Sequence, residues 1–207
     1  MKSKFPSFEL PTTDLIADAS VLINFLGTGI AGTLLANLKR PLLMAEEAVG
    51  EVKRHPLPGA DLATDLASLR GSGLIDVVQL GAIGRAHFYE LTANDLTGGL
   101  DDGEAATIAL AVERGDTSIV VLDEKKAARV LAEGWPGRAS AHSGMLLAQP
   151  QTRGVLSSAE FAQACCCALE HSRMRVPTEA LEWMVDVIGM EQARTFATLA
   201  KMLRTNR

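Results

Sequence analysis

The sequence predicts an α/β fold with a mostly parallel central sheet flanked by helices, followed by a helical C-terminal extension. Three observations carry that expectation. Short, continuous apolar runs recur through residues 1–150, each too brief for a helix and each followed by a stretch with helical spacing. Such alternation implies parallel strands, because parallel neighbours need a crossover and a helix supplies it. Beyond Pro150 the strand-like runs stop while helical spacing continues. The chain has 207 residues, 47% hydrophobic and 22% charged, enough for one domain of residues 1–150 and a helical extension of residues 151–207 packed on it.

The elements follow in order. Strand-like runs are Leu15 to Ala17, Leu42 to Met44, Leu74 to Val78 and Ser118 to Leu122. Helical spacing covers Ser20 to Phe25, Ile30 to Leu38, Glu46 to Arg54, Ala60 to Leu69, Asp102 to Arg114 and Glu124 to Ala132, with Gly27, Gly71, Gly115 and Gly134 read as helix stops. In the extension, Ser158 to His171, Thr178 to Ile188 and Glu191 to Leu203 read as helices, with Thr178 as an N-cap. No internal repeat or low-complexity tract interrupts the pattern.

Composition narrows the function. The net charge of −5 argues against a protein that coats nucleic acid through bulk electrostatics. Residues 1–150 carry 13 Lys and Arg against 19 Asp and Glu, whereas residues 151–207 carry 7 against 6, so the acid excess lies in the first part. The three cysteines, Cys165, Cys166 and Cys167, are consecutive; they read as small buried hydrophobes and not as a disulfide framework or zinc site. No apolar run reaches the ~18 residues of a membrane span, and Met1 to Leu10 lack the apolar core of a signal peptide, so the reading is a cytoplasmic protein with no membrane partner.

Acids fall where a parallel sheet builds sites. Leu15-Ile16-Ala17 runs into Asp18, and Ile119-Val120-Val121-Leu122 runs into Asp123, so both carboxylates belong at the carboxyl edge of the strands. Helix capping explains either one alone. In Leu100 to Ala111 an acidic turn opens an Ala-rich helix; Asp102 reads as its N-cap, Asp101 as a turn residue and Glu104 as the acid left for chemistry. Glu47 and Glu51, four residues apart, share a helix face, where like charges cost stability. Spacing alone leaves open which of the two is the second acid, and a solvated face neutralised by Lys53 and Arg54 explains Glu51 equally well. Carboxylates that converge raise one another's pKa unless a cation lies among them. All-oxygen donors select a hard ion, Mg²⁺ or Mn²⁺, which activates water and stabilises phosphoryl charge, and the reaction class that follows is metal-dependent phosphodiester hydrolysis.

At these residues the sequence resembles the PIN domain family, the compact α/β ribonuclease fold that includes the VapC-like toxins of bacterial toxin–antitoxin pairs. Asp18-Ala-Ser20-Val-Leu-Ile23 is similar to the family's Asp-x-Ser opening, and Glu51 in Ala48-Val49-Gly50-Glu51-Val52 to its second acid. Gly103-Glu104-Ala105-Ala106 resembles the third motif and Val121-Leu122-Asp123-Glu124-Lys125-Lys126 the fourth, in the forms of an uncharacterised subgroup with a helical C-terminal tail; Gly154 to Ser158 and Arg175-Val176-Pro177 resemble its continuation. The resemblance spans roughly residues 14 to 189. It implies a three-layer fold, Asp18, Glu51, Glu104 and Asp123 as catalytic metal ligands, and a toxin ribonuclease with a cognate antitoxin protein and a homodimer among its partners. Two positions depart from the family pattern: Glu104 stands where Asp is commoner, and Val121 where Thr or Ser often precedes the last acid.

RNA binding by an acidic chain has to be local. Ser20, Lys53, Arg54, Lys125, Lys126 and Arg129 are the candidates beside the acids, with Lys39-Arg40 and His55 as further basic groups. The same cations also read as solubilising surface charge. One Tyr, six Phe and two Trp supply few stacking platforms, so selection by shape in a cleft is expected. Two other readings compete: a catalytically weak scaffold that binds RNA or a protein partner, and phosphoryl transfer through a nucleophilic Asp. The latter wants a second Asp where Ser20 stands.

Overall fold

The computed structural model describes residues 14–93, 99–115, 117–154 and 156–205. Met1 to Thr13, on which the signal-peptide reading rests, and Val155, part of the Gly154 to Ser158 motif, lie outside the described residues.

Five parallel strands form the sheet: β1 (Leu15–Ala17), β2 (Leu42–Ala45), β3 (Ile75–Val78), β4 (Ile119–Val121) and β5 (Ser140–Ala141), in the spatial order β3-β2-β1-β4-β5. β1 lies at the centre, paired Leu15 to Leu42 on one side and Ala17 to Val121 on the other. Every residue of β1, β2 and β4 is buried, which is why these strands read as unbroken apolar runs instead of an alternation. The chain winds outward from β1 to β3 and then crosses back to β4, so the order reverses between β1 and β4. Ligand crevices of open α/β sheets form outside the carboxyl ends of the strands at such a reversal.

Four helices lie between β1 and β3 in sequence: α1 (Ala19–Gly27), α2 (Ala31–Asn37), α3 (Glu46–Glu51) and α4 (Leu62–Gly71). α5 (Ala82–Thr92), α6 (Asp102–Arg114) and α7 (Lys125–Gly134) follow, with α8 (Ser143–Ala148) and α9 (Pro150–Arg153) after β5. α6 matches its predicted bounds and packs against β1, β2 and β4; Gly103 to Ala111 are all buried, and its alanines let the helix approach the sheet closely.

The structure corrects several sequence expectations. α3 ends at Glu51, with Val52 turned into the core, so Lys53 and Arg54 are exposed loop residues instead of helix. Gly115, at φ +82°, is a true helix stop, but Gly27 is the last residue inside α1. Its lack of a side chain answers a close approach: a Cβ there would lie 2.8 Å from Ser172 Cβ. α5 is absent from the predicted set; Gly81 caps its start and Gly84 lies in its first turn. They are required by packing, since a Cβ on Gly84 would meet Glu113 Oε2 at 2.6 Å, while Gly81 N–H donates to the same oxygen at 2.8 Å. β5, two residues without an apolar run, is joined to β4 by its ladder to Val120 and Val121 and by the bond from Leu122 N–H to Ala141 O.

The C-terminal segments are α10 (Ser158–Cys167), a π-turn over Ala168–Ser172, a 3₁₀ turn over Thr178–Ala180, and then α11 (Leu181–Ile188), α12 (Met190–Thr195) and α13 (Ala197–Thr205). The predicted third helix is therefore two, broken at Phe196, and Pro177 takes the N-cap position expected of Thr178. Ser157 and Glu160 form a full capping box on α10. Phe161, Cys165, Ala168, Leu169, Met174, Leu181 and Met184 join the same hydrophobic core as the sheet, and the π-turn packs directly on α1. Cys165 is fully buried, which pushes its thiol up to about 12, while Cys166 and Cys167 are partly exposed and all three are free. Among the described residues no single helix is long and apolar enough to cross a membrane.

Candidate active site

Asp18 leaves the central strand at the reversal point, its N–H bonded to Val121 O of β4 at 3.2 Å. The side chain does what capping predicts: Oδ2 accepts from Ser20 N at 3.3 Å and Ser20 Oγ at 2.8 Å. Ser20, a candidate RNA contact, thus has its hydroxyl proton committed to Asp18. Capping leaves half of the carboxylate unexplained, because Asp18 is 4% exposed and its Oδ1 is buried with no hydrogen-bond partner. Burial raises the Asp18 pKa, the Ser20 bonds oppose that, and the Asp101 charge adds to it.

Two more acids are electrostatically coupled to it. Glu104, at the first turn of α6, is 6% exposed; burial and then the charges of Asp101 and Asp18 push its pKa up to about 7. Glu51, at the last turn of α3, is raised by burial and by the Asp101, Asp18 and Asp102 charges, against the lowering effect of Gly103 N–H. That N–H donates to Glu51 Oε1 at 2.5 Å and aims the carboxylate at the α6 N-terminus. The coupling of Glu51 to Asp18 favours it over Glu47 as the second acid. Glu47 lies one turn earlier on α3, with its own Oε2 buried and unpartnered. A Cβ on Gly103 would meet Glu51 Cδ at 2.6 Å. Gly103→Ala is therefore expected to swing the flexible Glu51 carboxylate away with a melting temperature within about 2–4 °C of wild type, and nuclease activity measured beside thermal denaturation checks both.

The order of the acidic turn is corrected: Asp101, not Asp102, is the N-cap of α6, its Oδ1 accepting Glu104 N at 2.8 Å. Asp101 is also the charge that acts on Asp18, Glu51 and Glu104 alike.

Asp123 leaves β4 at the same edge but is held differently. Its Oδ1 accepts Ser143 N at 2.8 Å, and its Oδ2 accepts Ser143 Oγ at 2.5 Å and Asn24 Nδ2 at 2.7 Å. Asn24 also donates to Ser143 Oγ at 3.2 Å, which ties α1, β4 and α8 into one clamp. Neither Asn24 nor Ser143 stood out in the sequence. Asn24 carried a signal, a lone polar residue in the apolar run Val21 to Leu26; Ser143 carried none. The pair supplies polar contacts beside the last acid, where Val121 on β4 has none to give.

The basic candidates divide. Lys125 is exposed at the start of α7, Arg129 is exposed one turn on with Glu133 at 3.9 Å, and Lys53 and Arg54 are exposed after α3. Lys126 Nζ donates to Gly99 O and anchors the turn before α6. Lys39 and Arg40 precede β2, at the opposite edge of the sheet from the acids. His55 is structural: Nε2 lies 3.0 Å from Asp65, and Nδ1 accepts Leu57 N–H.

A family model described as a PIN domain matches residues 14–189. The chain belongs to the PIN domain family. No curated protein and no solved structure matches it. Membership in a family of nucleases gives this PIN domain a nuclease-type, hydrolytic function, and PIN domains typically use divalent metals. The donor set fits such an ion, because the orphaned Asp18 Oδ1 and the mutually repelling Asp18, Glu51 and Glu104 are hard oxygen donors short of positive charge. Among the described residues, no three Asp, Glu, His or Cys side chains gather round one point as a ready metal cage.

Proposed function

We propose that this PIN domain is an Mg²⁺- or Mn²⁺-dependent ribonuclease that hydrolyses RNA phosphodiester bonds at the carboxyl edge of β1 and β4. The observation that supports it most is the buried, unpartnered Asp18 Oδ1 beside carboxylates that raise one another's pKa. Asp18, Glu51, Glu104 and Asp123 are the residues to hold the ion, which when bound polarises phosphoryl oxygens and acidifies a water. The chain supplies the positioning. Ser20 fixes one oxygen of Asp18 and leaves the other facing inward; Asn24 and Ser143 lock the Asp123 rotamer; Gly103 N–H orients Glu51. Without the ion Glu104 ionises at about 7, so binding of the ion there is expected to displace a proton. RNA as the substrate follows the family resemblance, and Lys125 and Arg129 are exposed beside Asp123 to meet phosphates.

The test is cleavage of mixed RNA and DNA pools with Mg²⁺, Mn²⁺ or EDTA. RNA shortening that needs metal is the expected result; cleavage undiminished in EDTA overturns the metal, and preference for DNA overturns the substrate. As a finer step of the same proposal, the enzyme is the toxin of a type II toxin–antitoxin pair. Its expression in a bacterium without a partner protein is expected to stop growth, and normal growth beside active enzyme overturns that role.

A second reading, a catalytically weak scaffold that binds RNA or a protein, draws on the absence of a ready metal cage among the described residues. Calorimetric titration separates the two: no Mg²⁺ or Mn²⁺ binding in the low millimolar range favours the scaffold.

A further inference from the structure

The C-terminal segment reaches the acid edge at a place that neither the family's acids nor the capping pattern explains. The π-turn Ala168–Ser172 closes on Arg173, a non-glycine residue in the left-handed region at φ +56°. That turn redirects the chain: Met174 is 3% exposed, with its N–H bonded to Ala168 O at 3.2 Å, and Arg175 points outward. Arg175 Nη1 donates to Glu124 Oε2 at 2.5 Å, 51 residues away in sequence. Glu124 follows Asp123 directly, occupies the N-cap position of α7, and its charge bears on Glu104. A second link runs parallel, since half-buried His142 feels the charges of both Asp123 and Glu179. Residues 175–179 therefore follow the rim of the site.

Stability alone is a poor reason for this pair. The Arg175 side chain is 67% exposed and that of Glu124 41%, and ion pairs so open to water contribute little. An arginine in that position has another capacity, because its guanidinium matches a phosphodiester's oxygens in a way that a carboxylate on the same rim cannot. RNA entering a group of carboxylates meets repulsion, and a cation on the rim offsets it.

Resting on the ribonuclease reading above, we infer that Arg175 is a substrate-binding residue: the C-terminal segment forms one wall of the RNA cleft, and Glu124 holds the guanidinium until a backbone phosphate of the substrate displaces it. The acid and the phosphate compete for one cation, so the two partners of the pair are expected to have opposite effects.

The experiment measures binding of a short, fluorescein-labelled, mixed-sequence single-stranded RNA by anisotropy, in full-length protein carrying Asp18→Asn so that the RNA stays intact. Arg175→Gln is expected to weaken binding roughly five- to tenfold and to lower the slope of log K against log salt by about 0.7, the loss of one phosphate contact on a single strand. Glu124→Gln is expected to tighten binding. Equal weakening by both variants shows a tie that merely holds the segment in place and overturns the inference, as does an Arg175→Gln protein that binds like its parent. If the Asp18→Asn parent binds no RNA even at low salt, the RNA reading fails and takes this inference with it. That outcome is distinguished from failure of Arg175 alone by the parent's own titration.

Discussion

Asp18→Asn is expected to lower metal-dependent RNA cleavage by at least about a hundredfold, the scale of removing one preorganised charge-stabilising group from an active site, while the protein melts at the same temperature or higher at neutral pH. Asparagine caps helices as well as aspartate does, so the bonds from Ser20 N and Oγ survive the change. What disappears is a buried negative charge among Asp101, Glu51 and Glu104, all of which gain by its loss. Asp18→Ala separates the two roles. It is expected to be equally inactive but about 1 kcal/mol less stable than Asp18→Asn, because it removes the cap as well. Cleavage assays and thermal melts on the three proteins read the difference, and an Asp18→Asn enzyme within a few-fold of wild type removes Asp18 from the chemistry.

The second large effect is on stability and its dependence on pH. Glu104 has a folded-state pKa of about 7 against an ordinary value of 4.5, so the folded protein binds a proton that the unfolded chain has released throughout that interval. Below 4.5 both states are protonated and the group costs nothing. Stability is lost as pH rises through the interval, and above 7 the ionised carboxylate costs on the order of 3 kcal/mol. Glu104→Gln is therefore expected to raise the melting temperature by roughly 6–12 °C at about pH 8 and by nothing below about pH 4.5. Mg²⁺ is expected to stabilise wild type at the higher pH and to narrow the gap. A Gln variant that melts with wild type at every pH shows that Glu104 is solvated and not held among like charges.

How much of this could be read from the sequence depended on whether a feature was local. β1, β2 and β4 were legible because strands buried on both faces must be continuously apolar, and α6 because its acidic start, its alanines and its terminal Gly115 lie within one stretch. Asp18, Glu51, Glu104 and Asp123 were legible as residues at strand ends and helix turns. Their supports were not. The clamp on Asp123 joins residues 24, 123 and 143, and no spacing along the chain announces it. α5 was not legible, and the packing of Glu113 against Gly81 and Gly84 joins residues far apart in the chain that no local spacing connects. Asp101 was set aside as a turn residue, although its cap bond places its charge among three other acids.

The close approach of Gly27 to Ser172 bears on timing. During synthesis the chain emerges from its N-terminus, and the helix that Asp18 caps finds its last packing partner only when residue 172 is available. The clamp on Asp123 likewise waits for residue 143. A chain that has been made only as far as β5 therefore still lacks the residues that hold Asp123 and close the packing of α1.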